Sequence, residues 1–268
     1  MLPAKLIVDA GEARILQRVR RSRGTLEGVT EFDFAWDSAT GVTDQDHVGG
    51  AAFVGELARA AGIVEQTRVV DLCCRLGGSA RFLAATRGSS VHGIERNRER
   101  CAAAQRLNAL VGLEDRVTIE CADVMSAPVP RERFDVLWGQ SAWTNLPDRD
   151  AFVARWLPAL AAGGRIAFED TCLHRAPRTA AEHARLAALE KTWRAHPVAT
   201  DAWLATFEAG GLLVDRVESL SERARDYFEG RLARTIPAPA VEVAGWTTAC
   251  ALIEAGIIGY VRVVAIRS

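Results

Sequence analysis

The sequence predicts an α/β fold in which a parallel, doubly wound sheet carries helices on both faces. Between residues 67 and 169, short apolar runs alternate with segments of helical periodicity. Parallel strands that are buried on both faces form such apolar runs, and helices connect them. Two adjacent glycines, Gly77 and Gly78, also follow the first run and precede a helical segment. A tight turn between a buried strand and a helix is typical of a cofactor site in this fold class.

The composition fits one large domain and excludes several classes of partner. The chain has 268 residues, of which 49% are hydrophobic, and its formal net charge is −1. This charge gives no electrostatic basis for binding nucleic acid or an anionic membrane. No apolar run approaches the roughly 20 residues that span a bilayer, and the N-terminus becomes charged too early for a secretory signal. The six cysteines include no CxxC pair. We therefore expect a cytoplasmic protein with reduced cysteines and no metal site.

The chain divides into a main part and two additions, within a single structural domain. Residues 1–50 contain a helical pattern at 12–23 and an aromatic, acidic segment at 31–37, so we expect an N-terminal helical cap or lid. Residues 51–268 form the main domain. An insert at about 171–200, helical over 180–194, interrupts the alternation of strands and helices.

Turn and capping residues set the predicted boundaries of the elements. Ser79 is expected to cap the second helix, and Gly163 with Gly164 to end the fourth. The predicted strands are 68–73, 90–94, 117–121, 134–139, 165–169, 212–220 and 257–266. The predicted helices are 51–61, 80–86, 98–111, 150–160, 180–194, 201–209, 224–235 and 241–255.

Polar residues collect at the ends of the predicted strands, where ligands bind in open α/β sheets. Asp71 lies in the first strand, and Glu95 follows the second at about the spacing expected for a carboxylate that binds both hydroxyls of a ribose. Asp123 follows the third strand, Gln140 the fourth, and Glu169 ends the fifth. Each of these residues has an alternative interpretation, because an acid at a strand end is often only solvated.

Five segments, taken in order, resemble class I S-adenosylmethionine-dependent methyltransferases. They read VVDLCCRLGGSARFLA, VHGIERN, ADV, FDVLWGQSAW and GGRIAFED, within about residues 45–172. The resemblance is closest to the group that acts on small molecules, such as glycine, sarcosine and dimethylglycine N-methyltransferases and natural-product methyltransferases. It implies a Rossmann-like sheet of seven strands in the order 3-2-1-4-5-7-6, with the last strand antiparallel. Residues 212–220 and 257–266 would then be strands 6 and 7.

The same resemblance implies a cofactor and the residues that bind it. S-adenosyl-L-methionine would be the cofactor and S-adenosyl-L-homocysteine the product. Asp71 would orient the glycine loop, Glu95 would bind the ribose hydroxyls, and Asp123 would accept from the adenine amine. The full set of cofactor-binding residues that the resemblance implies is Asp71, Cys73, Gly77, Gly78, Glu95, Arg96, Asp123, Val124 and Gln140.

Arg75 departs from the pattern of this family, in which the corresponding position is commonly glycine. A residue with a side chain in left-handed backbone costs about 1–2 kcal/mol. Three interpretations stay open. Arg75 is tolerated with its side chain pointing outward, it pairs with a carboxylate of cofactor or substrate, or it marks a relative that has lost methyl transfer.

The chemistry of methyl transfer demands alignment more than acid–base catalysis, and a base is needed only if the acceptor must lose a proton. We predict Asp170 and His174 as catalytic residues, because they follow strand 5 where the insert begins. The alternative for His174 is a capping or solvent-facing histidine. The candidates for a base near the strand ends are His47, Glu169, Asp170 and His174.

Aromatic residues near the same edge suggest a wall for the acceptor. They could hold a planar substrate or shield the sulfonium by cation–π contact, and core packing is the alternative. The predicted substrate-binding residues are Phe34, Trp36, His47 and Trp143.

The sequence therefore predicts methyl transfer from S-adenosylmethionine to an N, O or C nucleophile of a small molecule, in secondary metabolism. The alternative is a degenerate relative that binds S-adenosylmethionine or a natural product without transferring methyl. A nicotinamide dehydrogenase is disfavoured, since the loop lacks GxGxxG. A homodimer stays open, and the acceptor itself is not indicated.

Overall fold

The computed structural model describes residues 35–37, 41–43, 45, 47–233 and 240–268. Its strands are β1 (Ala35–Asp37), β2 (Gly41–Thr43), β3 (Arg68–Leu72), β4 (Ser90–Glu95), β5 (Val117–Cys121), β6 (Phe134–Gln140), β7 (Leu160–Leu173), β8 (Leu212–Ser219) and β9 (Ile258–Arg267). Its α-helices are α1 (Gly50–Ala60), α2 (Gly78–Arg87), α3 (Arg98–Val111), α4 (Arg149–Trp156), α5 (Ala180–Trp193), α6 (Thr200–Ala209), α7 (Ser221–Leu232) and α8 (Ala240–Glu254). Two short 3₁₀ helices span Trp143–Asn145 and Leu157–Ala159.

The central sheet has seven strands in the order β5-β4-β3-β6-β7-β9-β8. The strands from β5 to β7 are parallel, and β9 runs antiparallel to both of its neighbours. This is the order 3-2-1-4-5-7-6 expected from the sequence, so the predicted fold class is confirmed. The order reverses between β3 and β6, and a ligand site is expected at the carboxyl ends of strands beside such a switch point.

Alternate residues of the central strands face different apolar layers, as the pleat requires. Val70 and Leu137 belong to a cluster on the face that α4 and α6 cover, whereas Val69 and Trp138 belong to a cluster with α1, α2 and α3. Because both faces are covered, these strands are apolar along their length, which is the pattern seen in the sequence.

A third apolar cluster joins the segment before α1 to the insert after β7. Val48 and Phe53 pack in this cluster with Leu189 of α5, Trp246 of α8 and Tyr260 of β9. The N-terminal side of the main domain and the insert therefore meet on one side of the sheet, over the ends of β7 and β9.

The predicted end of the fourth helix is wrong. The helix ends at Trp156, and β7 begins at Leu160, so Gly163 and Gly164 lie inside a strand. Pro158 stands in the 3₁₀ turn between the two elements and lacks the N–H that a longer helix would need. Gly163 has φ of 70°, at a point where the register between β6 and β7 shifts. This left-handed glycine serves a strand irregularity, which requires the same residue type as a helix stop.

The predicted cap of the second helix is also wrong. Gly77, with φ of 75°, precedes the helix, which begins at Gly78, and no described side chain caps its N-terminus. Ser79 lies one residue into α2 and donates its hydroxyl elsewhere, to Gln140.

The described part of residues 1–50 contains two short strands and the first residue of α1. Strands β1 and β2 pair antiparallel as a small separate sheet. The helix predicted over 12–23 and the aromatic residue Phe34 lie outside the described residues.

Candidate functional site

The loop that follows β3 bends sharply at three positions. Cys73, Arg75 and Gly77 all have left-handed backbone, with φ of 73°, 51° and 75°. The N–H groups of Cys73 and Cys74 both donate to the carbonyl of Ile94, at 3.0 Å each, which fixes the loop against the end of β4. Cys73 and Arg75 carry side chains, so each costs about 1–2 kcal/mol relative to ordinary backbone. Strain of this kind is concentrated at functional sites.

The loop leads into the N-terminus of α2, which lies beside a cavity. The first N–H groups of a helix have no partner within the helix and attract electron-rich groups. The last residue of β6, the residue that follows it and one residue that precedes α1 also line the cavity. Its lining residues are His47, Asp71, Cys73, Cys74, Arg75, Leu76, Gly78, Ser79, Gln140 and Ser141. It therefore lies at the switch point between β3 and β6.

Asp71 supplies a buried carboxyl to this cavity. Only 4% of the residue is exposed. Burial raises the pKa of the Asp71 carboxyl to about 7, and the nearby carboxylate of Glu95 adds to the increase. A cationic group bound beside Asp71 would favour the ionised form, whereas an empty cavity favours the protonated form.

Glu95 shapes the loop and the start of α3 at the same time. One of its carboxylate oxygens accepts from the N–H of Arg75 at 3.1 Å, and the other accepts from the N–H of Asn97 at 2.7 Å. A carboxylate has about four acceptor positions, so these two bonds leave capacity for two ligand hydroxyls. The first of these bonds also accounts for part of the unusual backbone at Arg75.

The remaining cofactor-side candidates lie along the rim that β4 and β5 form, outside the cavity lining. Asp123 is half-buried, and its carboxylate accepts from the N–H of Met125 at 2.9 Å. Val124 is buried in the apolar cluster of β3 and β6, and Arg96 is exposed. Because β4 and β5 pair in parallel, Glu95 at the end of β4 and Asp123 just after β5 lie at the same edge of the sheet.

Asp170 is engaged with the backbone of the loop after β6. Its carboxylate accepts from the N–H groups of Ala142 and Thr144 at 3.0 Å each, and from Thr171 at 2.8 Å. The residue is 1% exposed and does not line the cavity. These contacts argue for a structural role and against the catalytic role expected for Asp170.

Trp143 and His174 are also placed away from the cavity lining. Trp143 is 1% exposed, donates its indole N–H to the carbonyl of Leu72, and packs against Phe168. His174 is exposed at the end of β7, and its ring lies over Gly259 of β9. Core packing thus accounts for Trp143, and the catalytic role expected for His174 finds no support in the lining.

His47 is the predicted acceptor-side residue that the structure does bring to the cavity. Its Nε2 atom lies 3.1 Å from the hydroxyl of Ser79 and 3.0 Å from Oε1 of Gln45. Trp36 is described here only through the backbone of β1, and Phe34 falls outside the described residues.

Sequence reasoning missed the side chains of Ser79, Ser141 and Tyr260. Ser141 has φ of 50°, and its hydroxyl lies 2.6 Å from the hydroxyl of Tyr260. Ser141 directly follows Gln140, so the rule about strand ends was enough to find it. Tyr260 comes from a distant strand, and only the register of β9 against β7 places it here.

Part of the chain is similar in sequence to known methyltransferases. Residues 69–164 match a family model described as a methyltransferase domain. The 27-O-demethylrifamycin SV methyltransferase of Amycolatopsis mediterranei (strain S699) is 29% identical over 171 residues, which are 61% of this chain and 62% of that protein. The chain spans less than two thirds of the length of the curated relatives that it matches.

Many solved structures share this fold, among them a methyltransferase and a cyclase. A geranyl diphosphate methyltransferase in complex with geranyl diphosphate and sinefungin superposes with a TM-score of 0.73 at 18% identity, covering 82% of this chain and 79% of the other. The [4+2]-cyclase SpnF superposes with a TM-score of 0.66 at 21% identity, covering 81% of each chain.

Proposed function

Because residues 69–164 form a class I S-adenosylmethionine-dependent methyltransferase domain, we propose that this protein transfers the cofactor's methyl group to a small molecule in secondary metabolism. The acceptor atom would be a nitrogen, oxygen or carbon nucleophile. The main observation behind the proposal is the strained loop after β3. This loop leads into α2, and the N-terminus of α2 lies beside a cavity at the switch point of the sheet. The 27-O-demethylrifamycin SV and geranyl diphosphate methyltransferases, by their names, act on small molecules, which supports the class of acceptor.

The residues at the edge fit S-adenosylmethionine in the chemistry of their donors and acceptors. Glu95 would accept from the two ribose hydroxyls, and Asp123 from the adenine amine, with Arg96 and Val124 beside the base. Asp71 is the carboxyl best placed to meet the ammonium group of the methionine portion. Gly77 and Gly78 would present backbone at the helix N-terminus, and Cys73 and Gln140 would complete the wall.

Catalysis in this proposal rests on positioning and on the exclusion of water. Bound S-adenosylmethionine supplies a methyl group that its sulfonium already activates. The chain must hold the acceptor in line with that group, and alignment of this kind contributes about 7–11 kcal/mol. Among the cavity residues, His47 is the described side chain best suited to contact the acceptor.

We place the acceptor on the side of the cavity where His47 and Ser141 lie. The segment that contains His47 and Val48 packs against the insert, since Val48 and Leu189 share one apolar cluster. The cap and the insert would then close over the reacting atoms from one side. This assignment keeps the predicted division into a cap (1–50), a main domain (51–268) and an insert (171–200).

A second function is favoured by the loop itself. Arg75 stands in left-handed backbone and lines the cavity, and the [4+2]-cyclase SpnF shares the fold. A protein of this fold that binds S-adenosylmethionine or a natural product without transferring methyl is therefore the alternative.

Incubation with methyl-labelled S-adenosylmethionine separates the two functions. The protein is mixed with a panel of small-molecule amines, phenols and hydroxylated polyketides, and labelled products are identified by mass spectrometry. A labelled acceptor supports methyl transfer. Binding of S-adenosylhomocysteine by calorimetry, with no labelled product across the panel, supports the alternative, and absence of binding contradicts both uses of the cofactor.

A further inference from the structure

A continuous path of hydrogen bonds connects a buried ion pair with the cavity. Glu169 of β7 is 0% exposed, and Nε of Arg262 of β9 donates to its carboxylate at 2.5 Å. The other carboxylate oxygen accepts from Nε2 of Gln140 at 2.8 Å. Glu169 itself does not line the cavity, whereas Gln140 does.

The direction of these hydrogen bonds is determined by groups that can act in only one way. The indole N–H of Trp138 can only donate, and it lies 3.2 Å from Oε1 of Gln140. An ionised Glu169 can only accept. The Gln140 amide therefore has a single orientation that satisfies both neighbours, with Nε2 toward Glu169 and Oε1 toward Trp138 and Ser79.

The orientation of Gln140 then determines the next two groups. The hydroxyl of Ser79 donates to Oε1 of Gln140 at 3.0 Å. Its oxygen is left to accept, and Nε2 of His47 lies 3.1 Å away. A hydrogen bond to Ser79 then needs the Nε2–H form of the His47 ring, and the same N–H also faces Oε1 of Gln45 at 3.0 Å, so both contacts hold the segment against the cavity.

A second path from the same residue reaches the same segment. The backbone carbonyl of Glu169 accepts from the N–H of Ser141 at 2.8 Å and from the hydroxyl of Tyr260 at 3.3 Å. The hydroxyl of Tyr260 also lies 2.6 Å from the hydroxyl of Ser141. The Ser141 hydroxyl in turn accepts from the N–H of Val48 at 3.4 Å. Both paths begin at Glu169 and end on adjacent residues of the segment that precedes α1.

We propose that Glu169 is a positioning residue that, through Gln140 and Ser79, holds the His47–Val48 segment closed against the cofactor cavity. The inference rests on the proposed use of this cavity for S-adenosylmethionine. Loss of the negative charge on Glu169 leaves Nε2 of Gln140 facing a donor or a proton, while Trp138 still requires Oε1 on its own side. No orientation of the Gln140 amide then satisfies both neighbours, and the segment is released.

The charged surroundings of Glu169 make this charge sensitive to pH. Burial raises the pKa of Glu169 to about 7, although Arg262 opposes the increase. Glu56 of α1 and Glu218 of β8 share Arg262, each with a contact of 3.0 Å, and Arg223 of α7 binds Glu56. On the cavity side, the pKa of Asp71 is also raised to about 7, so only a comparison between variants isolates Glu169.

The test measures S-adenosylhomocysteine affinity by calorimetry from pH 6 to pH 8.5 for the wild type and Glu169→Gln. We expect the variant to bind about tenfold more weakly at pH 8.5, and the ratio of the two affinities to approach one at pH 6, where the wild type also loses the charge. A ratio of one at pH 8.5, or a ratio that does not change with pH, overturns the inference.

Two further variants complete the experiment. Glu218→Gln removes another carboxylate from Arg262 without contacting Gln140. The affinity of this variant for S-adenosylhomocysteine should stay within about twofold of the wild type. An equal loss of affinity in Glu218→Gln and Glu169→Gln would indicate a general structural effect and overturn the inference. If Glu169→Gln does not fold, Ser79→Ala interrupts the path and should show the same pH-dependent ratio. A wild type that fails to bind S-adenosylhomocysteine at every pH refutes the proposed function instead.

Discussion

At Arg75, the backbone conformation and the side chain can be considered separately. Its φ of 51° confirms that this position needs left-handed backbone, which the sequence suggested from the glycine that relatives commonly have here. Its N–H donates to Glu95, and this bond is independent of the side chain. The backbone requirement at Arg75 can therefore be separated from any role of the guanidinium.

Arg75→Gly is expected to stabilise the fold by about 1 kcal/mol, because glycine removes the cost of left-handed backbone. If the guanidinium is tolerated without pairing, the affinity for S-adenosylhomocysteine should be preserved or improved. Thermal unfolding and calorimetry measure the two effects. A tenfold loss of affinity would show that Arg75 pairs with a carboxylate of the ligand.

Glu95→Ala should abolish detectable binding of S-adenosylhomocysteine, because two hydroxyl hydrogen bonds to a charged partner are lost, each of about 1.5–3 kcal/mol. Glu99→Ala, an exposed glutamate in the first turn of α3, is the matched control and should bind normally. Calorimetric titration provides the comparison. Unchanged affinity in Glu95→Ala would remove this residue from the site.

Asp71 gives a prediction for stability against pH. Burial raises the pKa of the Asp71 carboxyl to about 7 from its ordinary value of 3.8, so the folded protein binds a proton there that the unfolded chain releases above about pH 4. The wild type therefore loses stability relative to Asp71→Asn as pH rises from 4 to 7, by more than about 1 kcal/mol. Urea unfolding at pH 5 and pH 8 measures the change, and an equal difference at the two pH values would contradict the burial effect.

Elements of the sheet were predictable where a local pattern is sufficient. Strands β3 to β6 were expected within one residue, because each is an apolar run bounded by turn residues. The start of β7 was not, since a left-handed glycine such as Gly163 serves a strand irregularity as well as a helix end. The packing position of Trp143 could not be predicted from the sequence either, because its ring lies over Gly139, a contact that no local pattern indicates.

Gly139→Ala in β6 should therefore destabilise the protein, because an added Cβ would lie 2.2 Å from the Trp143 ring. Overpacking of this kind costs about 1–3 kcal/mol or more. Gly230→Ala in α7 is the matched control, since its Cβ would meet nothing within 4 Å and alanine favours a helix by about 0.5–1 kcal/mol. Denaturant unfolding compares the two, and a stable Gly139→Ala would mean that Trp143 moves readily.

The whole molecule brings together residues that local patterns cannot connect. Asp71, Glu95 and Asp123 were predictable as acids at strand ends, and the structure places them at one edge. Asp170 and His174 were selected by the same rule, yet one serves the loop backbone and the other lies over β9. The partnership of Glu169 with Arg262 depends on the antiparallel register of β7 and β9, which no spacing along the chain reveals.

Methyl transfer should persist after exhaustive chelation. The part of the chain that the structure describes contains no group of three or more histidine, cysteine, aspartate or glutamate residues arranged to hold a metal ion. In the same residues, no helix has the length and apolar character needed to span a membrane. Labelled-methyl assays with and without EDTA provide the measurement. Loss of turnover that a divalent ion restores would contradict this expectation.

The position of β9 between β7 and β8 has a consequence for the order of folding. Residues 258–267 are synthesised after both of their neighbours in the sheet, yet they fill the gap between these two earlier strands. Until they arrive, β7 presents an open edge, and the acid at Glu169 has no Arg262 beside it. Pairing over such long separations is slow, and an uncovered edge promotes association with other chains. The nascent chain should therefore be most prone to aggregation, and most dependent on chaperones, after β8 has been made and before β9 has paired with β7 and β8.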